Sequence, residues 1–161
     1  MKLIYHSLFL FVILINISCK KNGCGIFTTF SDFTERDPYS TLIRNDPDDW
    51  TLKDHWDEWE MNLFDTTYKT NCVAPSNFSI VAYPNPTSGP FQLSFSKTRA
   101  TKVDYRLIDD ECNVIASRDD ITGNAMGLQA GAIKDGIVRL YYRFVEDGCE
   151  YQGHGDIMIK L

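Results

Sequence analysis

The chain has 161 residues and a formal net charge of −6; it has no basic patch of the kind that phosphate backbones require, so nucleic acid is not an expected partner. The charge is uneven, with 11 acids against 3 bases from Asp32 to Asp65 and 11 against 10 from Thr66 to Leu161. Such an acidic block predicts a solvated surface segment, with an interaction site as the other reading.

The N-terminus reads "MKLIYHSLFLFVILINISCKKNGC", with Lys2, an unbroken apolar run from Leu8 to Ile15, and small or polar residues before Cys19. The run is too short to cross a bilayer and has the length of a secretory hydrophobic region. The "NISC" ending resembles a bacterial lipobox, and "SCKKN" resembles the start of many Bacteroidetes-type lipoproteins. That resemblance implies cleavage after residue 18 and acylation of Cys19, so that the lipid bilayer is a partner and residues 1–18 stand apart from the fold. Several acyl chains hold a protein far more firmly than one.

From Cys19 onward, one modest core or a domain with an extension is expected. With Cys19 lipidated, Cys24, Cys72, Cys112 and Cys149 form an even set in an exported chain, where disulfides persist. No pair has CxxC spacing, and only His55 and His154 follow Cys19, so no metal is expected. Two disulfides are expected, and four cysteines leave three connectivities open.

Residues 19–77 read as an acidic arm. "DPYSTLIRNDPDDW" is rich in turn and breaker residues. "TLKDHWDEWEMNLF" then places Leu52, Trp56, Trp59 and Leu63 on one helical face, predicting a short helix over 52–64. Thr51 with Asp54 resembles a capping box. A tryptophan platform flanked by catalytic carboxylates is the competing reading, but Trp at helical spacing is usually core, and packing is expected.

From Phe78 the hydrophobic period becomes two. Phe91, Leu93 and Phe95 alternate, as do Val103, Tyr105 and Leu107, then Val138, Leu140, Tyr142 and Phe144, with Arg139 and Arg143 opposite. "NVIAS" completes a hairpin after the "DDEC" turn, and Ile133 marks a weaker strand. "EDGCEYQGHG" reads as a turn before a last strand with Ile157, Ile159 and Leu161 on one side. About seven short strands over 78–161 predict an antiparallel, immunoglobulin-like β-sandwich with one face of each sheet buried.

"AYPNPTSGPFQLSF" is a corner between the first two of these strands. Pro84 and Pro86 lack N–H donors and belong at an edge or turn, Asn85 before a proline is biased to extended backbone, and Gly89 is free to take positive φ. With "VDYRLIDDECNVI", "DGIVRLYYRF" and "GHGDIMIKL", this stretch resembles the C-terminal sorting domain of Bacteroidetes type IX secretion cargo, over Phe78 to Leu161. The resemblance carries Tyr83, Pro84, Asn85, Pro86, Gly89 and Lys160 as sorting-motif positions, with Cys112 standing where the family's turn has Gly. Given an immunoglobulin-like layout, Cys72 and Cys149 lie at one end within bonding reach, leaving Cys24 for Cys112. "DTT" resembles a short Bacteroidetes O-glycosylation signal with Thr66 as acceptor.

The leading expectation is therefore a non-enzymatic cell-envelope lipoprotein, anchored in the outer membrane through Cys19 and facing the periplasm in preference to the cell surface, whose β-sandwich binds or scaffolds an envelope component. The alternative is a type IX substrate with 78–161 as sorting signal. An envelope hydrolase comes third, since no nucleophile motif, metal cluster or paired-acid site is legible. No cofactor and no catalytic residue is expected.

Overall fold

The computed structural model describes residues 30–130 and 133–161; the segment 1–18, Cys19 and Cys24 lie outside them. In chain order the elements are β1 (Glu35–Arg36), β2 (Leu42–Arg44), β3 (Thr51–Lys53), α1 (Glu58–Met61), β4 (Ser79–Tyr83), β5 (Pro90–Ser96), β6 (Lys102–Ile108), β7 (Val114–Ile121), β8 (Ala125–Gln129), β9 (Gly136–Glu146) and β10 (Cys149–Ile159). The protein is mainly β, and its strand pairings are antiparallel. A five-stranded sheet has the order β3-β10-β9-β6-β7 and a three-stranded sheet the order β4-β5-β8, while β1 and β2 form a separate hairpin.

The period-two runs bury one side of each strand. Ile80 and Ala82 on β4 and Phe91, Leu93 and Phe95 on β5 share one buried cluster with residues of β6, β9 and β10. From the five-stranded sheet come Val103, Tyr105 and Leu107, then Val138, Leu140, Tyr142 and Phe144, and finally Ile157 and Ile159. Leu161 does not join them: it lies past the end of β10 and is 65% exposed. Ile133 is not a strand centre either, because β8 ends at Gln129 and Ile133 packs on the core from the following loop.

The region read as an arm contributes to the sheet. Thr51 and Leu52 pair with His154 and Gly153 of β10, so the expected 52–64 helix shrinks to α1, where the Asp57 amide donates to Glu60 Oε2 at 2.7 Å. Sheet pairing overrides a weak helical preference here. Leu52 therefore packs on the main core, whereas Trp56, Trp59 and Leu63 pack on a second one.

β10 is longer than its sequence pattern predicts. The turn before it is only Asp147 and Gly148, both at positive φ, a two-residue hairpin of the Asp-Gly type. "EYQGHG" is strand. Its glycines resemble turn signals, yet they sit where another chain segment comes close. A Cβ on Gly153 would lie 2.5 Å from the Thr51 carbonyl oxygen, and one on Gly155 would lie 2.3 Å from the Trp50 ring. Trp50 covers β10 while its amide donates to the His154 carbonyl at 2.8 Å.

Candidate functional site

The motif residues of the corner converge with the terminal strand and the N-terminal region. Both X-Pro bonds of "YPNP" are cis, and Asn85 between them is fully buried. Its Nδ2 donates to the carbonyls of Thr34 at 2.7 Å and Asp156 at 2.9 Å, while its Oδ1 accepts from the Met158 amide at 2.9 Å. The Asn85 main chain exchanges hydrogen bonds with Arg36 at 2.7 and 2.9 Å. Three segments distant in sequence thus meet on one amide side chain. Next along, the Thr87 amide donates to the Met158 carbonyl and the Lys160 amide to the Thr87 carbonyl.

Gly89 does not need the freedom of a glycine. It is absent from the positive-φ residues, and its amide donates to Thr87 Oγ1 at 3.2 Å. Tyr83 is half-buried, with its hydroxyl accepting from Gln92 Nε2 at 2.6 Å. Lys160 has an exposed side chain.

Beside this junction lies a buried charged group that the acidic composition conceals. Asp49 accepts from the Thr34 amide through Oδ2 at 2.6 Å and from the Asp156 amide through Oδ1 at 2.8 Å. Asp156 in turn takes both arms of Arg139, at 2.6 and 2.7 Å. Burial and the nearby Asp156 raise the Asp49 carboxyl to about 7, and burial also raises that of Asp156 against the pull of Arg139. His154 Nε2 lies 3.0 Å from Asp48 Oδ2. Burial, aided by Arg139, lowers the imidazole to about 4, so it is neutral at pH 7 and donates Nε2–H to the carboxylate. Asp48 itself is held down at about 2, first by its hydrogen bond from Lys53.

Of these groups, Arg139, His154 and Asp156 belong to the second face of the five-stranded sheet, which is also buried over β6, β9 and β10. Arg139, Tyr141 and Arg143 on β9 alternate with the core residues, and so do Asp104 and Arg106 on β6 and Glu150, Gln152, His154 and Asp156 on β10. The expectation of one buried face per sheet fails here. Arg143 pairs with Asp104 at 2.8 Å and Glu150 at 3.1 Å and donates to the Thr66 carbonyl. Arg106 pairs with Asp119 at 2.7 Å and reaches the Leu63 carbonyl at 2.9 Å. The guanidinium groups of Arg106 and Arg143 lie over the Phe64 ring, at 4.7 and 4.6 Å. Trp56 stacks on Phe64 and meets Tyr141 edge-on. Planar, weakly hydrated guanidinium groups that are paired and stacked on rings can be covered in this way.

An Asp–His pair resembles part of a hydrolytic triad, but His154 Nδ1 has no hydrogen-bond partner among the described residues. No group of three or more His, Cys, Asp or Glu is placed among them to hold a metal ion. A surface cleft of about 500 Å³ lies at the β6–β7 turn, with Asp109, Asp110, Glu111 and Asp135 beside Ile115 and Ile137. Cys112, in that turn, has φ 68°, the left-handed backbone for which Gly is the usual choice.

Cys72 and Cys149 are joined in a disulfide; the pairing of Cys24 with Cys112 falls on a residue outside the described ones, as does Cys19. Thr66 is exposed. Among the described residues, no helix is long and apolar enough to cross a membrane. The pattern of the sequence missed Thr34, Asp49, Arg139, His154 and Asp156 as one group. The two glycines flanking His154 were the available signal of close approach. Compared with known proteins, the chain matches no family model, no curated protein and no solved structure.

Proposed function

We propose that the protein is a non-enzymatic cell-envelope lipoprotein, anchored to the outer membrane through Cys19, with an immunoglobulin-like β-sandwich that serves as a binding or scaffolding module. The observation that carries this reading is the place of the terminal strand. β10 lies between β9 and β3, is held by Asn85 at Asp156 and Met158, and has Ile157 and Ile159 in the core. A segment so committed to the fold works first as structure. The anchor rests on the Leu8–Ile15 run followed by Cys19, and the acidic cleft at the β6–β7 turn offers a face for an envelope component.

The second reading, a type IX substrate, is favoured by one observation: the Lys160 side chain and Leu161 are exposed beyond the last strand, where machinery can reach them. Metabolic labelling with a fatty-acid analogue tests the first reading. Wild type takes the label and Cys19→Ser does not. Equal labelling of the two ends the lipoprotein proposal. Protease shaving of intact cells, with mass spectrometry of both termini, reports the membrane face and any removal of 78–161.

A further inference from the structure

The β1–β2 hairpin presents Tyr39, Leu42 and Ile43 to solvent at 89, 47 and 60% exposure. Its tip is well braced. Asp37 Oδ1 accepts from the amides of Tyr39 and Thr41, each at 2.8 Å, and Arg36 Nη1 donates to the Ser40 carbonyl at 2.9 Å. Tyr39 on the braced tip and Leu42 and Ile43 on β2 hold three apolar side chains out to solvent.

Two observations say what covers them. The first is position. Phe30 lies under the Arg139 guanidinium at 4.7 Å, Arg139 holds Asp156, and the hairpin base at Arg36 is bonded to Asn85, which reaches the Asp156 carbonyl. Phe30, the first of the described residues, and the base of the hairpin therefore share one end of β10. Ten residues lie between Cys19 and Phe30, a span of at most roughly 40 Å. The second is charge. The hairpin from Glu35 to Arg44 carries two acids and two bases, inside a block that otherwise has a strong acidic surplus. Phosphate headgroups would repel the block but not this tip.

We propose that the β1–β2 hairpin is a membrane-contacting element, with Tyr39, Leu42 and Ile43 entering the headgroup region of the bilayer to which Cys19 is anchored. The inference rests on lipid anchorage at Cys19. A tyrosine suits this boundary, with an apolar ring and a polar end, and a second weak contact orients a domain that acyl chains alone would leave free to tumble.

Hydroxyl-radical footprinting tests it on the full acylated chain in phosphatidylethanolamine–phosphatidylcholine vesicles, with the Cys19→Ser chain in buffer as reference. Tyr39 oxidation falls at least fivefold on the vesicles, while Val73, 94% exposed, is unchanged. The Leu42→Gln/Ile43→Gln variant, checked for an unaltered thermal transition, brings Tyr39 back to within about twofold of the reference. Unprotected Tyr39 on a chain shown by labelling to be acylated overturns the hairpin proposal and leaves the anchor standing. Failure of the label at Cys19 overturns both. Protection in intact envelopes but not in vesicles overturns it in favour of a protein partner.

Discussion

Asn85 spends both amide hydrogens and its carbonyl oxygen inside the protein, and no aliphatic or acidic side chain can do the same. Asn85→Asp removes both donors and turns a carboxylate toward the Thr34 and Asp156 carbonyls. The expected loss is about 3–5 kcal/mol in urea unfolding, combining orphaned acceptors with an unpaired buried charge. The titrating pair nearby gives a second expectation. Folded Asp49 takes its proton near pH 7, unfolded Asp near its ordinary 3.8, so between these values the folded state holds more protons and stability rises as pH falls. Folded His154 protonates near 4 and unfolded His near 6.5, so the unfolded state holds more protons and stability falls over nearly the same interval. The two oppose each other in the wild type. In His154→Gln the urea midpoint should therefore climb from pH 7 to pH 4.5, and in Asp49→Asn it should drop. Identical profiles for the two variants would mean that neither group titrates as its burial demands.

The 54–68 segment has little regular structure of its own, since α1 spans only Glu58–Met61. It holds its course because Trp56 and Phe64 are nearly solvent-free on the polar face of the sheet. Trp56→Ala should cost roughly 3–5 kcal/mol, read from the urea midpoint. An unchanged midpoint, with loss of binding on a glycan array, would instead favour the platform reading. Trp56, Trp59 and Leu63 were legible as a packing face because their spacing is helical, and the inner residues of β5, β6 and β9 because theirs is two. The hidden part was the other side of β9 and β10. Arg139, Arg143, Glu150 and Asp156 carry the signature of solvent-facing positions, and alternation cannot tell a charge in water from one paired beneath an aromatic segment. β3 was hidden for a related reason: Thr51–Lys53 is strand through its partner Gly153, and local sequence does not name partners. The corner was legible as a turn from its prolines, whereas the reach of Asn85 to Thr34 and Asp156 is a long-range fact with no local trace.

At the scale of the whole molecule, the terminal pentapeptide separates the two functional readings. Deleting "IMIKL" removes Ile157 and Ile159 from the core, at about 1.5–3 kcal/mol each, together with main-chain bonds to β9 and Thr87. That approaches the total stability of a small domain, and circular dichroism should show loss of cooperative unfolding. Lys160→Ala, whose side chain is exposed, should leave both the melting curve and the location of the protein unchanged. A folded Lys160→Ala protein found in the wrong compartment would mark the terminus as an address. The strand order also has a consequence in time. β10, which follows the other described strands in sequence, joins β9 to β3, and its Asp156 amide donates to Asp49 near the start of the described chain. Contacts so distant along the chain form late and slowly. Until β10 is in place, β3 lacks its partner in the sheet and Asp49 lacks the Asp156 amide. A chain cut short within β10 therefore lacks the strand to which both β9 and β3 are bonded.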